Sequence, residues 1–394
     1  MSWARDMAEN ATATQPLPGA EVPAPGGRLP IVDVLRGVAL LGIVLVNAQY
    51  MSGVRGTAGT SWDRAAEAAV GFLAEMKFYP LFAFLFGYSL VLLMRREQGA
   101  MRPALFGRRL LVLFVLGCAH AVLLFPGDIL TTYAVLGAML WALRRLRTRA
   151  LVAVAVTALV AQCLLLAGLG AFTVLHPAEA GRASAGAGPV VTLYRGGPAD
   201  TVTAHLTELP DAVAGSFLFA LHVLAVMLLG MAAGRRRLLE RASVRRLRRV
   251  AVTGLLVGVP GNAVMVMCAY GPAGPEWFFV GKAVGALAGP ALTAAYVCLL
   301  VLLFHGDRHV RLRSLLATAG RLSLTHYLTQ SLVLAVVFTG YGAGLYARMG
   351  PWAVAACAAG LYGCQLWAGD RLSRRHAHGP AEHLMRRITQ GARR

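Results

Sequence analysis

The chain has 394 residues, of which 57% are hydrophobic and only 14% charged, with a mean hydropathy of +0.61. That composition excludes a water-soluble globule and describes a polytopic membrane protein. A net charge of +20 would suit nucleic acid on a soluble face, but here the basic residues stand in short clusters between apolar runs. They read as topology signals, and no nucleic-acid partner is expected.

Residues 1–30 are rich in Ala and Pro, carry Asp6, Glu9 and Glu21 and have no apolar core. They are expected to form a disordered cytoplasmic tail rather than a cleaved signal. A span needs about 20 apolar residues, and ten stretches qualify, the fourth being short: 31–50, 70–94, 108–125, 129–143, 150–175, 212–233, 250–270, 278–304, 316–340 and 351–368. All of the 38 Lys and Arg except Arg55, Arg64, Lys77, Arg182, Arg195, Lys282 and Arg348 fall in the tails, alternate loops and span ends of one side. The positive-inside rule makes that side cytoplasmic and puts both termini there. The expected fold is therefore all-α: a transmembrane helix bundle of about ten spans over residues 31–368 in the cell membrane, followed by a basic cytoplasmic tail, 369–394.

Trp62, Trp141, Trp277, Trp352 and Trp367 fall at or near span ends, where indole prefers the headgroup level. The six cysteines lie in apolar runs without a C-x-x-C pair, so neither a disulfide framework nor a metal site is expected, and they read as packing residues. The longest outer loop, 176–211, carries His176, Glu179, His205, Glu208 and Asp211 and reads as a linker before a lid. No internal repeat is visible, which weakens a transporter reading.

A bilayer penalises buried polar groups by a few kcal/mol each, so those within spans should face the bundle interior. In "IVDVLRGVALLGIVLVNAQY" Asp33 and Arg36 are three apart and can pair on one helical face, Gly37 and Gly42 allow close helix approach, and Asn47 arrives near the outer end. In "AEMKFYPLFAFLFGYS", Lys77 is one of only two lysines in the chain; it reads either as a functional amine or as a snorkelling one beside an aromatic belt. Arg55, between spans, is expected in water.

"LGCAHAVLLFPGDILTTYAVLG" puts His120 and Asp128 eight positions apart across a Pro126–Gly127 bend. A carboxylate beside an imidazole fixes its tautomer and raises its basicity, the arrangement a general base needs. The same residues also fit a plain buried histidine and an Asp that caps the returning helix. In "AGRLSLTHYLTQSLVLAVVFTG", Arg321, Thr325, His326, Tyr327 and Gln330 form a polar stretch, with Arg321 and Thr325 on one face suited to an anionic group. His222 and Asn262 are isolated mid-membrane polars, expected to bond helix to helix.

"DVLRGVALLGIVLVN", "KFYPLFAFLFGYS", "RRLLVLFVLGCAHAVLLFPGDILTTYAVLG", "GRLSLTHYLTQS" and "GPAEHLMRR" together resemble the YeiB-like bacterial membrane family, domain of unknown function 418, in its motif order from residue 31 to 387. The sequence departs from the family pattern at His326, where Asn is common. At its D-x-x-R-G start the family is similar to a wider group of transmembrane acyltransferases of the heparan-glucosaminide acetyltransferase type. That likeness implies an embedded His and an acyl group carried from cytoplasmic acyl-CoA to a glycan or lipid hydroxyl on the far side. The motif around those enzymes' His does not match "KFYPLFAFLFG", so the base expected here is His120, from its placement and its partner: oriented by Asp128, with Lys77, Asn47 or Tyr133 stabilising the oxyanion. Arg36, Arg108, Arg109 and Arg321 hold the phosphates. Acyl-CoA is a diffusible co-substrate and no cofactor is bound. The rivals are a transporter or flippase of a lipid or amphipathic metabolite and a non-catalytic assembly partner. No oligomeric state is implied.

Overall fold

The computed structural model describes residues 29–55, 59–96, 103–178, 188–271, 273–306, 309–376 and 378–390; the expected N-terminal tail falls almost wholly outside them. Among the described residues every regular element is helical. In chain order these are α1 Pro30–Met51, α2 Ser61–Leu73, α3 Phe78–Arg96, α4 Pro103–Leu123, α5 Leu130–Ala142, α6 Thr148–Leu175, α7 Gly188–Tyr194, α8 Pro198–Arg235, α9 Leu238–Arg241, α10 Val244–Tyr270, α11 Phe278–Leu303, α12 Val310–Arg321, α13 Ser323–Phe338, α14 Pro351–Arg375 and α15 Pro380–Gln390.

Among the described residues seven stretches are long and apolar enough to cross a bilayer: α1, Ser61–Arg96 taken through its break, α4, α6, α8, α10 and Pro275–Leu303. The chain is thus a multi-pass helical membrane protein. The expected fourth, ninth and tenth spans are helices too, but α5 has 13 residues and α13 has 16. Thirteen residues rise about 20 Å, short of the roughly 30 Å hydrocarbon core. The bundle is layered: α1 buries 61% of its most apolar stretch, whereas α4, α6 and α10 bury 28% each and so form the lipid-facing periphery. α1 and α3 lie at the centre, packed by the lower half of α8 and by α12. Trp62, Trp277, Trp352 and Trp367 are exposed, as a headgroup belt requires. Cys118, Cys357 and Cys364 are exposed as well, so these three do not have the packing role expected of them.

Three departures from the expected spans have physical causes. The second span begins as a separate helix, α2, whose Thr60 and Asp63 form a reciprocal capping box; the chain then breaks over residues 74–77, where Met76 takes a left-handed φ of 59°. The ninth span is two helices, α12 and α13, separated at Leu322. Just before that break Gly320 lies on Asp33 O of α1, and Gly37 of α1 lies on Leu316 O, with no room for a Cβ at either glycine. Third, the expected outer loop 176–211 is helical over Gly188–Tyr194 and again from Pro198, so α8 runs unbroken through Pro210. Pro198 starts it, and Asp200 Oδ2 accepts from Gly197 N at 2.8 Å. Pro210 is exposed, as is Leu206, the residue whose carbonyl loses its N–H partner, and the helix persists at the edge of the bundle.

The expected basic tail also has structure. α14 continues to Arg375, and α15 packs on α4. Residues 391–394 lie outside the described residues.

Candidate functional site

The α4–α5 hairpin brings the opening pair together. His120, in the last turn of α4, is 2% exposed and Asp128 5%. His120 Nδ1 lies 3.0 Å from Asp128 Oδ1, without the alignment of a hydrogen bond, and neither ring nitrogen has a hydrogen-bond partner among the described residues. Asp128 Oδ2 accepts from Thr131 N at 2.7 Å and Thr131 Oγ1 at 2.9 Å, which satisfies an orphan donor in the first turn of α5. Asp128 therefore caps and pairs at once. Tyr327 of α13 completes the group: its hydroxyl points at Asp128 Oδ1, 3.4 Å away, and its ring lies 5.0 Å from the His120 ring. Gly117, one turn before His120, makes the approach feasible, because a Cβ there would stand 2.6 Å from Asp128 Oδ2.

Two cavities meet at this group. The first, about 250 Å³, opens at the arginine-rich end of the bundle and is lined by Arg36, Arg109, Arg321, Ser89 and Glu382, with Phe82, Phe86 and Tyr327 as apolar wall. The second, about 320 Å³, lies toward the other end and is lined by Asn47, Glu75, Lys282, Asp128 and Tyr79. Ile43, Ile129 and Tyr133 belong to both walls, so one layer of side chains separates the cavities. Tyr133 is fixed in that layer by donating to Tyr79 O at 2.7 Å.

Of the residues expected to bind an anion, Arg36, Arg109 and Arg321 share the first cavity. Arg36 also pairs with Asp33 at 3.1 Å and bonds Ser89, and Arg321 donates to Thr318 Oγ1 at 2.8 Å. Arg108 instead turns outward to Ile388 O of α15, 2.9 Å away. Asn47 lines the second cavity and Tyr133 the partition.

Other expected residues stand elsewhere. Lys77 is wholly buried and donates to Gly71 O at 2.9 Å, closing the last turn of α2, where carbonyls lack helical partners and the dipole favours a cation. It lines neither cavity, and it does not snorkel. Thr325 is held by Glu382. His326 and Gln330 face α14, where Gln365 Nε2 donates to His326 O at 3.1 Å and Gln330 Nε2 donates to Gln365 Oε1 at 2.8 Å. His120 itself lines neither cavity: it stands behind the carboxylate, and Asp128 is the member of the pair that reaches the open space. The side chains of His222 and Asn262 do not bond across helices as expected, although His222 N donates to Gln162 Oε1 of α6 at 3.3 Å. Asn262 Nδ2 donates to Gly258 O of its own helix at 2.7 Å, and the His222 ring has no hydrogen bond among the described residues.

Two clusters escaped the sequence reading. Glu75, in the break after α2, accepts from Lys282 Nζ at 2.7 Å, lies 3.4 Å from Arg55 and Tyr50 and also bonds Tyr270. Arg55, expected in water, is therefore part of a partly buried network. Burial works to lower its pKa, but Glu75 and Tyr270 outweigh burial and the net shift is upward. Lys282, the second lysine, falls as expected at the outer end of the eighth span, but it is 3% exposed and bonded to this cluster. The other cluster is Glu382 of α15, whose carboxylate accepts from Leu324 N, Thr325 N and Thr325 Oγ1 at 2.9, 3.1 and 2.5 Å. It caps α13 where the ninth span breaks. Only its place in the "GPAEHLMRR" motif could have flagged it.

Comparison with known proteins agrees with the motif reading. The family model described as "Protein of unknown function (DUF418)" matches residues 232–392. The uncharacterized protein YxaH of Bacillus subtilis is 29% identical over 399 residues, covering 92% of this chain and 94% of its own. An uncharacterized 39.9 kDa protein from the amylase 3' region of Bacillus acidopullulyticus is 27% identical over 78% of each chain. The uncharacterized protein YeiB of Escherichia coli is 26% identical, over 91% of this chain and 95% of its own.

Proposed function

This chain belongs to the DUF418 family, and from that premise we propose that it is an acyltransferase of the plasma membrane, moving an acyl group from cytoplasmic acyl-CoA to a hydroxyl at the opposite face. One observation carries the reading: two cavities, one ringed by Arg36, Arg109 and Arg321 and the other floored by Asp128, are separated only by Ile43, Ile129 and Tyr133. Guanidinium groups suit the phosphates of a nucleotide carrier, and a buried carboxylate suits proton abstraction from a hydroxyl. The positive-inside rule puts the arginine cavity in the cytoplasm.

In this mechanism the acceptor hydroxyl lies in the second cavity against Asp128, which takes its proton. The alkoxide oxygen attacks the thioester carbonyl brought past Tyr133, the C–S bond breaks, and the CoA thiolate leaves with a proton from solvent. His120 is a positioning residue: at 3.0 Å its imidazole packs against the carboxylate and holds it in place. Asn47 and Lys282 stand on the same cavity wall and can donate to an oxyanion. This reading departs from the expected division of roles, with Asp128 as base and Lys282 in place of Lys77.

Purified protein in nanodiscs, incubated with radiolabelled acetyl-CoA and a panel of hydroxyl acceptors, should release CoA thiol and transfer label, and Asp128→Ala should abolish both. A second reading, transport of an amphipathic metabolite, draws on the interrupted helices at 74–77 and Leu322, since broken helices also line transporter paths. Substrate flux into vesicles without thiol release would favour it and reject acyl transfer.

A further inference from the structure

A third cavity, about 260 Å³, opens between α4, α5 and α8 on the lipid-facing side of the hairpin. Its wall is apolar: Val122, Val135, Leu209, Val213 and Phe217 contribute to it, and Val135, Val213 and Phe217 are exposed at its rim. Its floor is not. Asp128, Thr131, Thr132 and Ser216 line it, and Asp128, Thr132 and Ser216 also line the second cavity. The groove extends along α5 from Asp128 to Leu136, about 12 Å of helix rise, within the apolar part of the bundle. An apolar trough open to lipid tails that ends on a carboxylate matches an amphiphile, whose chain replaces the tails while its polar end meets Asp128. A water-soluble acceptor would gain nothing from the trough.

We propose that the acceptor is a membrane lipid with a free hydroxyl, which enters sideways between α4, α5 and α8, lays one hydrocarbon chain in this groove and presents its hydroxyl to Asp128. The proposal rests on Asp128 as the group that meets the acceptor. It fixes the acceptor class and the route of entry: the lipid arrives within the bilayer plane, while acyl-CoA arrives from the arginine-rich end.

The test uses full-length protein in nanodiscs, irradiated with a diacylglycerol that bears a diazirine at the end of one acyl chain, followed by peptide mapping. Label should concentrate in residues 118–136 and 209–220, and excess unlabelled diacylglycerol should compete it away. Ala220→Trp, which fills the groove, should reduce that labelling by about tenfold or more, equivalent to at least about 1.4 kcal/mol, and leave acetyl-CoA binding unchanged. Leu164→Trp on the exposed face of α6 should change neither. Label spread evenly over α4, α6 and α10, or label that unlabelled lipid does not displace, would overturn the proposal whether or not the Trp variant folds. Acyl transfer to a soluble alcohol without focal labelling rejects the lipid acceptor and keeps the enzyme. Focal, competed labelling without acyl turnover keeps the lipid site and rejects the enzyme.

Discussion

Asp128 has three partners and two cavities within reach of one carboxylate, so substitutions there separate its roles. Asn keeps an oxygen for Thr131 N and caps a helix well, but it cannot take a proton. Asp128→Asn is expected to melt within a degree or two of the parent and to lose about 10²-fold or more of turnover; Asp128→Ala should cost in addition about 1 kcal/mol of stability. Thermal melting in detergent and thiol release on the two variants measure this, and an Asn variant with full turnover would leave Asp128 as a cap alone. Lys77 predicts the opposite pattern. Its ammonium meets Gly71 O, far in role from the chemistry, so Lys77→Met should keep turnover while Lys77→Ala, which empties a wholly buried site, loses roughly 2–4 kcal/mol. Loss of turnover in a well-folded Met variant would return Lys77 to the site. The sequence made His120 and Asp128 legible because a hairpin is a local event: eight positions and a Pro–Gly bend suffice. Asp33 and Arg36 were legible for the same reason. Glu75 and Lys282 are 207 positions apart, and no local pattern joins a residue in the break after α2 to one on α11.

Helical elements were legible wherever apolar length decides, and least where polar contacts interrupt a run. Residues 316–340 read as one span, because nothing in the local sequence announces that a glutamate at 382 will occupy the amides of Leu324 and Thr325. That carboxylate substitutes for a turn of helix. Glu382→Gln should keep most of these bonds and lose only the charge–dipole component, about 0.3–1 kcal/mol, whereas Glu382→Ala should lose the cap, about 1–2 kcal/mol. Because Glu382 also lines the arginine cavity, both variants should bind acetyl-CoA more tightly, as removal of an anion beside three guanidinium groups requires. Equilibrium binding to nanodiscs checks this, and weakened binding by a well-folded Gln variant would show the carboxylate to be part of the anion site. The predicted loop 176–211 failed for a related reason: composition reads Pro and Gly as breakers, but Pro198 starts a helix and an exposed Pro210 does not stop one.

At the scale of the molecule, charge asymmetry and the cavity pair make one claim about direction. Reporter domains fused after Arg96, Arg147 and Arg246 should register the cytoplasm, and one within residues 179–187 the opposite side. A signal from the far side at any of the three basic sites would reverse the order of the cavities and with it the proposed direction of transfer.

The contact between α1 and α12 has a consequence in time. Gly37 rests on Leu316, a residue synthesised roughly 280 positions later. At about 5–20 residues per second, the first helix waits roughly 15–60 s for the surface that covers it. Through that interval Gly37 lacks its later partner, while Gly42 can already meet Phe78 of α3 and Asp33 and Arg36, three apart, can pair within the helix. A ribosome stalled before Val310 would therefore leave an inserted, charge-balanced but unclasped first helix, and the clasp is among the last parts of the bundle to form.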